Sequence, residues 1–368
     1  MFTLLTKSEL SGGVEIRNDL LSSVPTALSR KRAQRLGKPE QKPNEDNGGG
    51  PDKCLLCNPE MLMGQPTLSF KMDNDVAAFD NAAPFLPRDQ KVLFMWHEDA
   101  NMRKRSLHVY QLKDVRREEL YFLLSAGIEF GKAFPPEATT TFDILRMIVG
   151  FNLGRLAGQT IPHVHMQYGW DVIVGGRTIT RNQLNLYYEE LEAADLTLYA
   201  DKNVKVIAPW TPKGQYAIDL HFYDNYEIRN LSEREIKIFA HFGWCILQHY
   251  VNLGIQNVNI VFTNSPLDRK IEPVVAHFVP RVNMPALYEI LGVNVVDTPP
   301  TAIAEEFRRN INWEDEIRNI IDAYNPKAEL KTLFNMGSAM ADNSRLTRGK
   351  ASQNALSGHF VSPRNVMR

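Results

Sequence analysis

The chain has 368 residues, 43% of them apolar and 10% aromatic, enough for a sizeable core, so global disorder is excluded. Its 42 Lys+Arg nearly cancel 43 Asp+Glu, leaving net −1, which argues against nucleic acid as a primary partner. Three cysteines exclude a disulfide scaffold, no apolar run reaches the ~18 residues of a membrane span, and the N-terminus lacks a signal-peptide pattern; the expectation is a cytoplasmic protein without a membrane partner.

At roughly 100–200 residues per domain, the length admits two or three domains. Residues 29–51 are polar and broken by Pro39, Pro43 and three glycines, and read as an exposed loop. The loop starts basic, with Arg30, Lys31, Arg32 and Arg35. Cys54-Leu-Leu-Cys57-Asn58-Pro59 follows as a knuckle-like turn. Residues 75–95 predict strands, interrupted around Asn81 and Pro84. A helix is predicted over 113–134, with Leu120, Leu123, Leu124 and Ile128 as its apolar stripe and Pro135-Pro136 as its stop. A buried strand over 142–152, a glycine-containing loop and a segment at 161–168 complete this half.

The second half repeats the layout. Strands are predicted over 204–210 and 216–222. Ser232 and Glu235 form a capping box opening a helix with Ile236, Phe239, Phe242, Ile246, Tyr250 and Leu253 at helical spacing, and Gly254 fits its stop. Strands over 257–263 and 272–282 follow, the last carrying His277. The pattern reads as two diverged copies of one α+β unit: 1–175 with the cysteine pair and the H-x-H-x-Q motif, and 176–325 as a degenerate copy. Residues 326–368 hold seven Lys/Arg against two Asp/Glu and read as a basic tail, with a short helix possible over 327–340.

The densest chemical signal is Phe151-Asn152-Leu-Gly154 followed by Gly158-Gln159-Thr160-Ile-Pro162-His163-Val164-His165-Met166-Gln167. On a strand, the period of two sends His163, His165 and Gln167 to one face, a set that rarely serves core packing. The loop before it suits close approach of backbone N–H groups to phosphate oxygens. Cys54 and Cys57 offer two thiolates at zinc spacing in a loop rather than in the strand–helix context of a redox pair. His163, with His108 or His97, would complete a Cys2His2 set, and four protein ligands make such a zinc structural. His241 and His249 read as helix-surface or interface residues, His221 as core, and Cys245 as a small apolar packer.

Over residues 27–309 the chain resembles the galactose-1-phosphate uridylyltransferase branch of the histidine-triad (HIT) superfamily. Arg32-Ala-Gln-Arg35 resembles its nucleotide-contacting R-A-K-R, Cys54-Leu-Leu-Cys57 its C-x-L-C zinc pair, and His108 its zinc histidine before the first helix. The segment from Phe151 to Gln167 resembles its F-x-N-x-G…G-x-x-x-P-H-P-H-G-Q signature, and Ala276-His277-Phe278-x-Pro280 its A-H-F-Y-P. The resemblance implies an α+β fold of tandem HIT-like units, with an antiparallel sheet flanked by helices and a zinc-stapled first half. It implies a homodimer and nucleoside-monophosphate transfer, UMP favoured and AMP possible, between a nucleotide sugar or dinucleotide and a phosphate-bearing acceptor. His165 would be the nucleophile, Gln167 would hydrogen-bond the phosphoryl oxygens, and Cys54, Cys57, His108 and His163 would hold structural Zn²⁺. Arg32, Arg35, Asn81, Asn152, Gly158, Gln159 and Thr160 would bind nucleotide and phosphate.

The departures are informative. Val164 and Met166 replace proline and glycine of the motif. Val275 stands two before His277 and Arg181 falls where an acidic ligand would, so no second metal is expected. Val295 stands where a sugar-recognising glutamine is expected, which argues against galactose. The alternatives are a phosphorylase or hydrolase of nucleotide sugars or dinucleoside polyphosphates, and a non-catalytic zinc-stapled nucleotide-binding protein.

Overall fold

A computed structural model describes residues 3–8, 14–18, 26–29, 50–58, 76–80, 88–97, 104, 108, 111–133, 145–159, 161, 163–172, 179–265, 270, 272–282, 294–322 and 324–332. Its strands are β1 (Thr3–Ser8), β2 (Val14–Asn18), β3 (Thr26–Ser29), β4 (Val76–Asp80), β5 (Arg88–Met95), β6 (Leu145–Leu153), β7 (His165–Val172), β8 (Thr197–Ala200), β9 (Lys205–Ile207), β10 (Ile218–Phe222), β11 (Val258–Thr263), β12 (Val274–Pro280) and β13 (Asn294–Val296). Its helices are α1 (Arg117–Ala133), α2 (Arg181–Ala193), α3 (Glu233–Asn252), α4 (Pro300–Asn310) and α5 (Trp313–Asp322). No described helix is long and apolar enough to cross a membrane.

The organising element is a nine-stranded antiparallel sheet ordered β4-β5-β7-β6-β11-β12-β10-β9-β8. The order β4-β5-β7-β6 recurs as β9-β10-β12-β11, and in each set the long helix lies between the second and third strands in sequence. The two sets join where β6 runs antiparallel to β11, with Asn152 opposite Asn259. A smaller sheet, β1-β2-β3-β13, docks on the second set. There Arg17 stacks 4.0 Å over Trp210 and Gln215 bonds Thr298 at 2.6 Å.

Alternation gives the large sheet two unlike faces. Met166, Tyr168, Phe151, Ile260, Phe262 and Phe278 are buried under α1 and α3. Phe239 of α3 bridges the two sets, with ring centroids 6.3 Å from Phe151 and 4.9 Å from Phe262. The other face carries His165, Gln167, Asn152, Asn259, His277 and Asp219, and Val261 at its centre is 39% exposed.

The capping box of α3 is present: Ser232 Oγ accepts from Glu235 N–H, while Ser232 N–H donates to the Glu235 carboxylate at 2.8 Å. Gly254 takes φ +80° past its end, as the expected stop requires. The first long helix begins at Arg117 rather than at 113, because residues 112–114 form a separate 3-10 turn. His241 and His249 are buried, so of the two readings, helix surface or interface, the surface one is corrected. Helices α5 and α4 cover them: His241 bonds Glu316 at 2.6 Å, and the His249 ring meets Phe307 at 4.4 Å. His221 and Cys245 are buried as expected.

Candidate functional site

The cysteine knuckle closes on itself through Asn58, whose Nδ2 reaches the carbonyls of Pro51, Asp52 and Cys54 at 2.9, 3.2 and 3.0 Å. It rests on Phe94 of β5, whose ring meets His163 edge-on at 5.9 Å. The ligand atoms of Cys54, Cys57, His108 and His163 all lie within 4.8 Å of one another. His163 Nδ1 stands 3.8 Å from Cys54 Sγ and 3.5 Å from Cys57 Sγ, and His108 Nδ1 stands 3.5 Å from Cys57 Sγ. Metal bonds of ~2.3 Å to sulfur and ~2.0 Å to imidazole nitrogen, at tetrahedral angles, hold S and N about 3.6 Å apart. The four side chains therefore fit one tetrahedral metal ion, with His108 rather than His97 as the second histidine. The Cys54 thiol is held far below its ordinary range by its bond to Cys57, then by His108 and His163, against the effect of burial. A ready thiolate is what a metal needs.

Strand β7 begins at His165, so the alternation that pairs His165 with Gln167 on one face does not govern His163. Instead the chain turns at His163, whose N–H donates to the Ile161 carbonyl at 2.8 Å. The His163 side chain enters the cysteine cluster. Its carbonyl accepts from His165 Nδ1–H at 2.8 Å and from Gln159 Nε2–H at 3.1 Å. This fixes the His165 tautomer and makes Nε2 its basic nitrogen. Burial lowers the His165 pKa, so the imidazole is neutral at pH 7. Gln167 is half-buried on the same face, opposite Val92 and Gly150.

The intervening loop is held tightly. Gly154 and Gly158 take φ of +91° and +89°, a region that strongly favours glycine. A Cβ at Gly154 would meet Asn257 Oδ1 at 2.4 Å, so side-chain space is excluded as well. Gln159 acts as an internal brace, its Oε1 accepting from Gly154 N–H at 2.6 Å. Asn152 Oδ1 accepts from Asn259 Nδ2 at 2.7 Å, and Asn152 Nδ2 lies toward Gly158. The structure thus brings His165, Gln167, Asn152, Gly158 and Gln159 together beside the four metal-ligand candidates. Arg32, Arg35, Asn81 and Thr160 lie outside the described residues. Sequence reasoning missed Asn58, Asn257 and Asn259. An asparagine one residue past the second cysteine was the visible signal for the first; the other two had no local signal, because their partners lie about a hundred residues away.

Two further polar clusters are present. His277 bonds Asp219 Oδ1 through Nδ1 at 2.8 Å and Thr263 Oγ1 through Nε2 at 3.0 Å, with Lys213 Nζ 3.4 Å from Nε2. Ligand atoms of His241, Cys245 and Glu316 also gather within 4.8 Å. There Arg117 Nη1 stands 3.1 Å from His241 Nδ1. A guanidinium only donates, so Nδ1 accepts and Nε2–H donates to Glu316. That arrangement serves a hydrogen-bond network better than a metal.

No protein-family model and no curated protein matches the chain. Solved structures do match in fold. An ADP-glucose phosphorylase from Arabidopsis thaliana, solved with bound ADP-glucose, aligns over 82% of this chain and 99% of its own, at TM-score 0.60 and 15% identity. A GalT-like protein from Arabidopsis thaliana aligns over 81% and 99%, at TM-score 0.57 and 14% identity. A uridylyltransferase mutant aligns over 75% and 98%, at TM-score 0.51 and 15% identity. The chain is thus similar in fold to the uridylyltransferase branch that its motifs resemble.

Proposed function

We propose that the chain is a nucleotidyltransferase that works through a covalent nucleotidyl-His165. The observation that carries this reading is the His165 bond to the His163 carbonyl, made on a backbone whose next side chain joins the Cys/His cluster. The reaction divides into two displacements. His165 Nε2 attacks the α-phosphorus of a nucleotide sugar; the P–N bond forms, and the P–O bond to the sugar phosphate breaks. The imidazolium that results keeps its Nδ1–H on the His163 carbonyl, which accepts the new positive charge. An acceptor phosphate then attacks the same phosphorus, and the electron pair returns to Nε2. Gln167 and Asn152 supply neutral donors to the phosphoryl oxygens, while Gly158 and Gln159, whose N–H groups bond the Arg155 and Gly154 carbonyls, shape the loop that faces the phosphate. Arg32, Arg35, Asn81 and Thr160 are proposed as further contacts to nucleotide and phosphate. Cys54, Cys57, His108 and His163 would hold a Zn²⁺, which would supply a structural cross-link. Through the His163 carbonyl, that cross-link fixes the ring of His165.

The repeated strand order supports reading residues 1–175 and 176–325 as tandem HIT-like units followed by a basic tail; a homodimer is proposed on the resemblance alone. UMP and AMP are both admissible as the transferred group, since one neighbour is named for uridylyl and another for ADP-glucose chemistry. A phosphorylase is the second reading, favoured by Val295, which offers no hydrogen bond to a hexose where the resemblance calls for glutamine. The test is incubation with UDP-glucose and ADP-glucose labelled at the α-phosphate, followed by denaturing electrophoresis. Acid-labile, alkali-stable label at His165 is expected. No label from either donor, or label that persists in His165→Ala, overturns the proposal.

A further inference from the structure

Resting on the transfer reading above, we infer that Asn259, contributed by the second half of the sheet, is a positioning residue for that reaction: it holds the Asn152 amide so that the donor end, Nδ2, and not the acceptor end faces the phosphoryl group on His165. Turning an asparagine amide over costs little in shape and exchanges a donor for an acceptor. Beside a phosphoryl oxygen that exchange matters, because only the donor end stabilises negative charge. The orientation of Asn152 is set from outside by two groups with one role each. The Ala157 carbonyl only accepts, and it lies 2.7 Å from Asn259 Nδ2. The Arg281 guanidinium only donates, and its Nε–H meets Asn259 Oδ1 at 2.5 Å. Between them the Asn259 amide has one permitted orientation. Its Nδ2 also stands 2.7 Å from the Asn152 side chain, so the atom there accepts and is Oδ1. Asn152 Nδ2 is therefore the end turned away from Asn259. A Cβ built on Gly158 would stand 3.9 Å from it, which puts it beside the glycine loop.

Register gives the location. On one side Asn152 lies opposite Asn259. On the other, the step after the Phe151–Met166 pair sets it opposite His165. Directly opposed residues of antiparallel strands share a face, with Cα atoms about 4.5–5.5 Å apart. Asn152 thus stands between His165 and Asn259. At ~4.8 Å per strand, the backbones of His165 and Asn259 are about 10 Å apart, so Asn259 acts through Asn152 rather than on the phosphoryl group itself. The frame behind Asn259 is fixed as well. The Arg281 backbone N–H donates to the Asn257 carbonyl at 2.8 Å, and Asn257 Oδ1 accepts from Leu156 N–H at 2.9 Å. Asn259 itself is only 8% exposed.

The test is a double-mutant cycle read on the rate of labelling of His165 by UDP-glucose and ADP-glucose. Asn259→Asp keeps an acceptor for Arg281 but offers Asn152 an oxygen, so the Asn152 amide turns over and shows its own oxygen to the phosphate. Labelling is expected to slow about tenfold or more. Asn259→Ala leaves Asn152 without a preference and should cost less, about threefold. In an Asn152→Ala background, already slower, the two substitutions should change labelling by less than about twofold, because the residue they act through is gone. Their cost in urea unfolding should persist there, since the bond to the Ala157 carbonyl is lost in either background. Equal labelling by the Asp and Ala variants, or a kinetic penalty that survives without Asn152, overturns the assignment: the first would mean a loosened loop, the second a through-space charge. If Asn259→Asp does not fold, the same cycle is read on Asn259→Ala, whose smaller penalty must likewise vanish. Binding of UMP and AMP is measured by calorimetry on the same proteins. If the wild type forms no intermediate but binds either nucleotide, and Asn259→Asp weakens that binding only where Asn152 is present, the transfer reading fails and the positioning role stands. If the intermediate forms and the cycle is additive, the positioning role fails and the transfer reading stands. Neither label nor nucleotide binding in the wild type overturns both.

Discussion

The two halves of the large sheet share a strand order and use their histidines differently. His277 on β12 has both ring nitrogens engaged, Nδ1 with Asp219 at 2.8 Å and Nε2 with Thr263 at 3.0 Å. His165 on β7 has Nδ1 engaged with a carbonyl at 2.8 Å and, among the described residues, no bond at Nε2. The orienting groups differ as well. A carboxylate beside His277 makes a buried pair; a carbonyl beside His165 fixes the tautomer without a counter-charge and leaves a neutral imidazole with a basic Nε2. The first half also has a positive-φ glycine loop clasped by asparagines, whereas the second half lends those asparagines. One scaffold thus carries the candidate site and, opposite it, a frame that supports it.

The sharpest way to break this comparison is to remove each histidine in turn. His165→Ala is expected to abolish labelling and to lower turnover by about 10³-fold or more, with an unfolding midpoint close to wild type. His277→Ala should lower the midpoint and still form the nucleotidyl intermediate at His165. Label at His277, or labelling lost equally in both variants, would show that the halves do not divide the work in this way.

Metal removal is the next largest effect. Cys57→Ser or chelation is expected to release one Zn²⁺ per chain, measured by atomic absorption, and to cost about 4 kcal/mol or more in urea unfolding. Activity should fall with it, because the His163 carbonyl that orients His165 belongs to one of the four candidate metal ligands. A metal-free protein of unchanged stability would sink the structural assignment.

Much of this site was legible in the chain, for reasons that are local. Cys54 and Cys57 are three residues apart and their knuckle needs only short-range bonds. Gly154 and Gly158 announce a backbone that other residues resist. Ser232 and Glu235 mark a helix start by chemistry contained in four residues. What was not legible depends on register. His163 was expected on the strand with His165, but its N–H turns back to Ile161, and no periodicity encodes that turn. His241 and His249 read as surface or interface residues because α4 and α5, which cover them, arrive 58 and 75 residues later. Asn259 meets Asn152 and the Ala157 carbonyl only when β11 pairs with β6.

The buried pair of the second half can be probed directly. Burial alone would raise the Asp219 pKa, but His277 and Lys213 hold it below the ordinary carboxylate value. The unfolded value is about 3.9, so the stabilisation by this pair is present above that pH and is lost as pH falls through the lower folded value. Asp219→Asn leaves a buried histidine without its carboxylate and should cost about 3 kcal/mol at pH 7. Below the folded pKa, variant and wild type should converge. A constant difference from pH 7 to pH 3 would mean that packing, not the charge pair, sets the cost.

The smallest test compares the two long helices at their starts. Helix α3 opens on a capping box whose Glu235 bonds the Ser232 N–H at 2.8 Å. Helix α1 opens on Glu119, whose Oε2 accepts from Arg116 N–H at 2.9 Å while Oε1 is buried without a partner. Burial pushes the Glu119 pKa up to about 7, against the pull of Arg116. Because the folded value lies above the unfolded one of about 4.3, stability at this site falls as pH rises from about 4 to 7. Glutamine keeps the acceptor for Arg116 and removes the charge. Glu119→Gln should therefore stabilise the protein by about 1–3 kcal/mol at pH 8 and by nothing measurable at pH 4.5. Urea unfolding at the two pH values reads the difference. A variant less stable than wild type at pH 8 would mean that the Glu119 carboxylate caps its helix in the charged form, and the contrast between the two helix starts would then fall away.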